Sequence, residues 1–167
     1  MSTLAIDIDL GRVTAVDSVR GVLAHGVAPE KWDVDIEGIT QVLVEIAGPI
    51  LHHEESHSYR RWMLFNAVLA TTYVVAFEDI HVPVLVATST AWTKGYSEVQ
   101  RDAIAGILPL RYKNVTTKKA GNAKVTRVPI WDEPHDVREC RCMLYFRQRD
   151  PKPWTPLSQY LKELVGK

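Results

Sequence analysis

The sequence predicts an α/β protein with a mixed sheet, in which an antiparallel meander is followed by parallel strands and helices flank the sheet. Three observations carry this prediction. Three short apolar segments with tight connections fill the first 28 residues. Strand-like and helix-like segments then alternate along most of the chain. A chain of 167 residues, 46% of them hydrophobic, is long enough to bury a core of its own.

The predicted sheet has five strands. The segments with the composition and length of strands are 4–10, 12–19, 21–28, 41–47 and 82–90. The first three follow one another so closely that we expect them to be antiparallel neighbours. The last two are separated by a long helical segment, as parallel strands require.

Three longer segments carry apolar residues at helical spacing: about 58–79, 96–108 and 133–147. We expect Ser97 to cap the second, and Pro134 suits the first turn of the third. The polar stretch 29–40 is expected to hold a short helix or a turn. Residues 1–150 form one expected domain, and residues 151–167 form a Pro-rich tail that ends in a short helix.

Neither an export signal nor a membrane anchor is expected. The first ten residues have no basic start and soon reach two aspartates. The most apolar stretch, 62–77, falls short of the roughly 20 residues that a membrane span needs, so we expect a buried core helix. Cys140 and Cys142 face different directions on a predicted helix and are expected to stay reduced. An intracellular, cytoplasmic protein is the simplest interpretation.

Charge is distributed unevenly although the formal net charge is zero. The segment 111–127 has no acidic residue, and Gly121–Asn122 is a candidate hairpin turn within it. Because lysines and arginines bind phosphates, this segment is a candidate DNA-contacting arm. The alternative is a solvated hairpin. Its basic residues are Arg111, Lys113, Lys118, Lys119, Lys124 and Arg127.

Acidic residues occur on three otherwise apolar elements that are far apart in the sequence. Glu45 closes a β-branched strand, at the kind of strand end where mixed sheets place ligands. Asp136 and Glu139 are three residues apart and therefore share one helix face. The full set is Asp7, Asp9, Glu45, Asp136 and Glu139.

Carboxylates that converge on one sheet edge repel one another unless a cation bridges them. Mg²⁺ prefers oxygen ligands, and two such ions can stabilise the attacking and leaving oxygens of a phosphodiester. The sequence therefore predicts a metal site formed by these acids. Taken singly, each acid is more often a cap or a paired surface charge.

The chain resembles the RuvC-like Holliday-junction resolvases of the RNase H-like superfamily. Asp9–Leu10–Gly11, followed by Arg12–Val13–Thr14, is similar to the motif that ends the family's first strand. Glu45 matches the family's glutamate on the fourth strand. Asp136–Val137–Arg138–Glu139 resembles its closing Asp-x-x-Asp pair, with Glu in place of the second Asp. Ser97–Glu98–Val99–Gln100 resembles the start of its penultimate helix.

The resemblance implies an RNase H-like, five-stranded mixed sheet and a homodimeric endonuclease that cuts four-way DNA junctions in recombination and repair. It implies two Mg²⁺ ions, replaceable by Mn²⁺, held by Asp9, Glu45 and the Asp136/Glu139 pair. A bacterial or phage-infected cell would be the setting. The family's active-site lysine aligns with Tyr96, which leaves Lys94 as a candidate substitute.

Some choices stay open at this level. Asp9 is the preferred ligand because only it has a glycine two residues on, and Asp7 is a supporting acid or the true ligand if the turn comes earlier. Loop 52–61 makes Arg60 and Arg61 candidate DNA contacts, because the family's equivalent loop reaches into the junction. A catalytically silent RNase H-like module that binds nucleic acid or a partner is the alternative function.

Overall fold

The structure, a computed structural model, describes residues 1–9, 11–46, 57–87, 97–149 and 154–166. Within the first helix the side chains of residues 57–60, 62 and 63 lie outside this description.

The described chain contains eight strands and four α-helices. The strands are β1 (Ser2–Asp9), β2 (Arg12–Asp17), β3 (Gly21–Val27), β4 (Ile39–Ile46), β5 (Val84–Ala87), β6 (Arg111–Lys119), β7 (Asn122–Ile130) and β8 (Trp154–Pro156). The helices are α1 (His57–Asp79), α2 (Glu98–Ile104), α3 (His135–Arg149) and α4 (Leu157–Val165).

The main sheet has the order β3-β2-β1-β4-β5-β8. β1, β2 and β3 form the antiparallel meander, and β4 and β5 continue the sheet in parallel to β1. The predicted α/β class and mixed sheet are therefore confirmed. The sheet has six strands rather than five, because β8 adds an antiparallel edge strand beside β5. Its prolines obscured this strand in the sequence, although an edge strand tolerates proline.

The sheet lies between two helical layers. Leu4, Ile6 and Ile8 of β1 pack in the core that α1 and α4 cover, whereas Ala5 packs in the core that α3 covers. Because side chains alternate along a strand, Asp7 points to the same side as Ala5, toward α3. The central strand thus presents an acidic residue to α3.

The helices differ in detail from the sequence prediction. α2 is shorter than predicted, but Ser97 caps it in a reciprocal capping box with Gln100. In the polar stretch 29–40 the structure has a 3₁₀ turn at Pro29–Lys31, and the last two residues of the stretch begin β4. No described helix combines the length and the apolar character that crossing a bilayer requires.

Among the described strands, β6 and β7 pair only with each other and form a separate two-stranded hairpin. The hairpin turns at Ala120 and Gly121, one residue earlier than predicted, and both have positive φ, of 53° and 80°. Positive φ at both central residues is the geometry of a tight two-residue hairpin turn. Every residue of β6 is exposed.

The C-terminal segment contributes to the core, and a substitution in α4 tests this. Leu157 is 1% exposed, so Leu157→Ala should lower the free energy of unfolding by about 2–5 kcal/mol. Val165→Ala in the same helix is the matched control, because Val165 is 71% exposed and its loss should cost less than about 0.5 kcal/mol. Urea unfolding measures both; equal losses would contradict the packing of α4 on the core.

Candidate metal-binding site

Strand register brings two carboxylates together near the carboxyl ends of the two central strands. β1 and β4 are parallel, and Asp7 lies directly beside Glu45 in their ladder. Neighbouring residues in register point to the same side of a sheet, so both side chains face α3. Asp7 is only 3% exposed.

Glu139, in the second turn of α3, completes a group of three acids. One carboxylate oxygen each from Asp7, Glu45 and Glu139 lies within 4.8 Å of the other two. These residues come from three elements, as the sequence predicted for the acids as a set. The structure therefore brings Glu45 and Glu139, both predicted site residues, together with Asp7, the alternative to Asp9 on the first strand.

The environment of this acidic group opposes ionisation. Burial raises the pKa of Asp7 well above its usual range, and the negative charges of Glu139, Asp136 and Asp9 raise it further. The pKa of Glu45 is likewise raised by burial and then by Glu139 and Asp7. Without a proton or a cation, these carboxylates would repel one another.

Two oxygens in the group have no hydrogen-bond partner within the described part of the chain. They are Oδ1 of Asp7 and Oε2 of Glu45, and both are buried. Buried acceptors are normally satisfied by a donor, a water or a cation. The donor set is composed of carboxylate oxygens only, which suits Mg²⁺ or Mn²⁺ better than a thiolate- or imidazole-preferring metal. The three residues thus fit a hard divalent cation.

Asp9 and Asp136 lie around this group rather than within it. Asp9 is exposed at the end of β1, although its charge still raises the pKa of Asp7. Asp136 accepts a hydrogen bond from Thr14 Oγ1 at 3.3 Å. The Nε2 atom of His25 lies 3.7 Å from the same carboxylate oxygen, Oδ2.

The geometry places Asp7, and not the preferred Asp9, beside Glu45. The expected glycine turn after Asp9 is present, because Gly11 has a φ of 77°. The pairing of β1 with β4, and not the position of the turn, decides which acid stands beside Glu45. Asp7 is the residue at that position.

His135 connects two acids at the start of α3. Its Nδ1 atom lies 2.8 Å from Glu98 Oε1, and its Nε2 atom lies 3.3 Å from Glu139 Oε2. The hydrogen bonds to Glu139 and Glu98 raise the pKa of His135 to about 9. In this arrangement the imidazole is a cation at neutral pH and can donate a proton.

A buried network of charges, which the sequence did not indicate, fixes α2 against α3. Arg101 donates to Asp102 from Nε and Nη2, at 3.0 and 2.9 Å, and from Nη1 to Glu139 at 3.4 Å. Arg138 donates to Asp102 and to Glu98 and lies 3.9 Å above the ring of Trp131. Glu139 therefore has a permanent cation as a neighbour.

The helical pattern of α2 concealed this network. Its buried residues are Arg101 and Asp102, whereas Val99 and Ile104 are 44% and 39% exposed. Apolar spacing normally marks the buried face of a helix, so the pattern indicated the wrong face. The adjacent opposite charges were the only local signal.

The other predicted residues lie elsewhere in the chain. Lys94 is outside the described residues, as is the side chain of Arg60, although its backbone belongs to α1. Arg61 is exposed on α1. Six predicted DNA contacts lie on the hairpin and are exposed: Arg111, Lys113, Lys118, Lys119, Lys124 and Arg127.

Comparison with known proteins does not assign the chain to a family. No protein-family model, curated protein or solved structure matches it.

Asparagine in place of Asp7 should stabilise the metal-free protein at pH 8. The pKa of Asp7 is raised in the folded state, so the folded protein binds this proton more tightly than the unfolded chain does. The contribution of this proton to the free energy of unfolding is complete below the pKa of Asp7 in the unfolded chain, which is about 4. It is lost as pH rises through the pKa of Asp7 in the folded protein. Asp7→Asn removes that loss.

Urea unfolding of wild type and Asp7→Asn in the presence of a chelator, at pH 4.5 and pH 8, measures this difference. The advantage of the variant should be small at the lower pH and should reach about 1 kcal/mol or more at pH 8. Asp33→Asn, at an exposed position, is the control and should show no such trend. An advantage of Asp7→Asn that does not change with pH would contradict the account.

Proposed function

We propose that this protein is a metal-dependent endodeoxyribonuclease with an RNase H-like fold that cuts branched DNA, four-way junctions in particular. The observation that carries the proposal is the buried group of Asp7, Glu45 and Glu139, which has two carboxylate oxygens without a partner in the described chain. Burying a group of like charges is costly to the fold, and such groups are concentrated at functional sites.

Mg²⁺ is the proposed cofactor, with Mn²⁺ as a substitute. Asp7, Glu45 and Glu139 would hold one ion, and the flanking Asp9 and Asp136 are the proposed ligands of a second. When bound, the metal supplies Lewis acidity: it lowers the pKa of water and offsets the charge that develops on phosphate oxygens.

The chain's own residues have two further roles in the proposed reaction. Arg101 positions Glu139 through a hydrogen bond and remains charged at any working pH. In the metal-free protein the contacts with Glu139 and Glu98 raise the pKa of His135 to about 9. Its position beside the site makes the imidazole the proposed proton donor to a leaving oxygen. Both residues contact Glu139, so they lie beside the proposed metal site.

DNA as the substrate is supported by the basic hairpin, and junction selectivity rests on the resemblance of the Asp9–Leu10–Gly11 and Asp136–Glu139 motifs to those of RuvC-like resolvases. Lysine and arginine residues bind DNA by releasing its counterions. Six of the 20 basic residues of the chain lie in the hairpin, which has no acidic residue. Strand cleavage near a bound duplex is the expected result.

A homodimer is proposed because α1 carries an exposed apolar stripe. Phe65, Val68 and Val75 are 58%, 54% and 52% exposed, and their spacing places them on one face of the helix. Apolar residues that share an exposed face are typical of an interface. Two copies of the site would then cut both strands of a symmetric junction.

Cleavage assays with a four-way junction, a linear duplex and an RNA–DNA hybrid, each with Mg²⁺ and with a chelator, test the nuclease proposal. We expect metal-dependent nicking of the junction. Asp7→Asn and Glu45→Gln should each reduce the cleavage rate by about a thousand-fold or more, because the metal's contribution to the transition state is worth several kcal/mol. Gel-shift assays should find junction binding unchanged in both variants.

Asp33→Asn, an exposed change outside the site, is the control and should cut at the wild-type rate. Binding without cleavage of any of the three substrates would overturn the nuclease proposal and favour a silent nucleic-acid-binding module. Preferred cleavage of the hybrid would retain a nuclease but reject junction selectivity.

Introducing a charge on the α1 stripe should dissociate the dimer. Val68→Asp is expected to weaken self-association by at least about ten-fold, because it buries an unpaired carboxylate in the interface. Sedimentation equilibrium measures this. Val19→Asp is the control, since Val19 is 74% exposed but lies away from α1, in the β2–β3 turn. A monomeric wild type at micromolar concentration would reject the proposed dimer.

A further inference from the structure

The hairpin gives a nearly neutral chain a concentrated positive surface. Its strands and turn carry six basic residues and no acidic one, so the other residues have an excess of six acidic over basic side chains. A solvated surface ribbon normally mixes both signs, as the rest of this chain does. The separation of charge indicates a polyanionic partner for the hairpin.

The strand register divides the six cations between the two faces of the hairpin. Residues that pair directly across an antiparallel ladder share a face, and alternate residues along a strand share a face. Lys124 pairs with Thr117, and Arg127 pairs with Asn114. The four-cation face therefore carries Arg111, Lys113, Lys119 and Lys124, and the two-cation face carries Lys118 and Arg127.

The two faces also differ in how their cations are engaged. On the two-cation face the guanidinium of Arg127 lies 4.4 Å from the ring centre of Tyr112, so this charge is already in contact with an aromatic ring. All four residues of the four-cation face are exposed. No hydrogen bond or ion pair within the described chain engages their side-chain nitrogens.

The positions of these cations suit a duplex. Arg111 and Lys113 lie near the base of the hairpin, whereas Lys119 adjoins its turn and Lys124 lies three residues beyond the turn. At about 3.3 Å per residue, the strand from Arg111 to Lys119 extends about 26 Å. A two-stranded ribbon of this kind fits the major groove of B-form DNA, where it meets phosphates along the groove edges.

The base of the hairpin is attached to the helix that carries Glu139. β7 is followed after four residues by α3, and Trp131 in this connection stacks under Arg138 of α3 at 3.9 Å. Glu133 accepts two hydrogen bonds of 2.7 Å from Arg141 of the same helix. DNA bound along the hairpin is therefore held by an element fixed to the acidic group.

We propose that the four-cation face of the hairpin binds the phosphates of a duplex DNA arm, and that the opposite face contributes little. This assignment rests on the proposed function in taking DNA as the ligand. The duplex is preferred to single-stranded nucleic acid because base stacking needs an aromatic platform. The four-cation face of the hairpin has no aromatic residue on either strand.

The salt dependence of binding tests the assignment one face at a time. Binding of the full-length protein to a 25-base-pair DNA duplex is measured by fluorescence anisotropy in chelator, at several salt concentrations. Lys119→Gln/Lys124→Gln should reduce the slope of log K against log salt by about 2, since each phosphate contact contributes about 0.9. The matched control, Lys118→Gln/Arg127→Gln, removes the same charge from the opposite face and should reduce it by less than about 1.

Equal reductions by the two double variants would overturn the face assignment, and an unchanged slope for Lys119→Gln/Lys124→Gln would reject the hairpin as a DNA contact. A larger effect on single-stranded DNA or on duplex RNA than on duplex DNA would overturn the choice of ligand. Circular dichroism and thermal unfolding confirm that each variant is folded.

This test is separate from that of the proposed function. The slope is measured without metal and needs no cleavage, so a protein that binds DNA through this face but never cuts a junction would support the present proposal and reject the nuclease. Metal-dependent cutting by the wild type, together with unchanged slopes in both variants, would do the reverse.

Discussion

The pairing of Asp7 with Glu45 in the β1–β4 ladder is the constraint on which the other features of the site depend. Two carboxylates on adjacent central strands, both beneath a helix, cannot both ionise cheaply in the folded protein. α3 adds a third acid to them instead of a neutral partner. In the folded protein the group is therefore neutralised either by protons or by a cation, and a divalent cation would replace the protons.

The packing of α2 against α3 follows a different principle from that of the rest of the core. The two core clusters between the helices and the sheet are formed by apolar side chains. Between α2 and α3 the buried side chains are instead Arg101, Asp102 and Arg138. Breaking a buried ion pair is costly because it leaves one charge without compensation, so such a contact has little tolerance for a shift. An interface of this type is suited to holding Glu139 at a fixed position.

The sequence predicted an antiparallel meander followed by parallel strands, the capping of α2 and the convergence of Glu45 and Glu139 with an acid of the first strand. It could not rank Asp7 above Asp9, because that choice depends on the register between β1 and β4, which are joined by a long crossover connection. β8 was missed because a three-residue segment that ends in a proline forms a strand only when an edge such as β5 is available. The charged face of α2 was missed because periodicity detects apolar burial only.

The acidic group also has a consequence for the synthesis of the protein. Its acids lie at positions 7, 45 and 139, so the third is translated long after the first two and only as part of α3. A nascent or truncated chain that ends before α3 contains two of the three acids and lacks the helix that buries them. Partial products that end before α3 therefore cannot assemble the three-acid group, so its formation requires synthesis at least through α3.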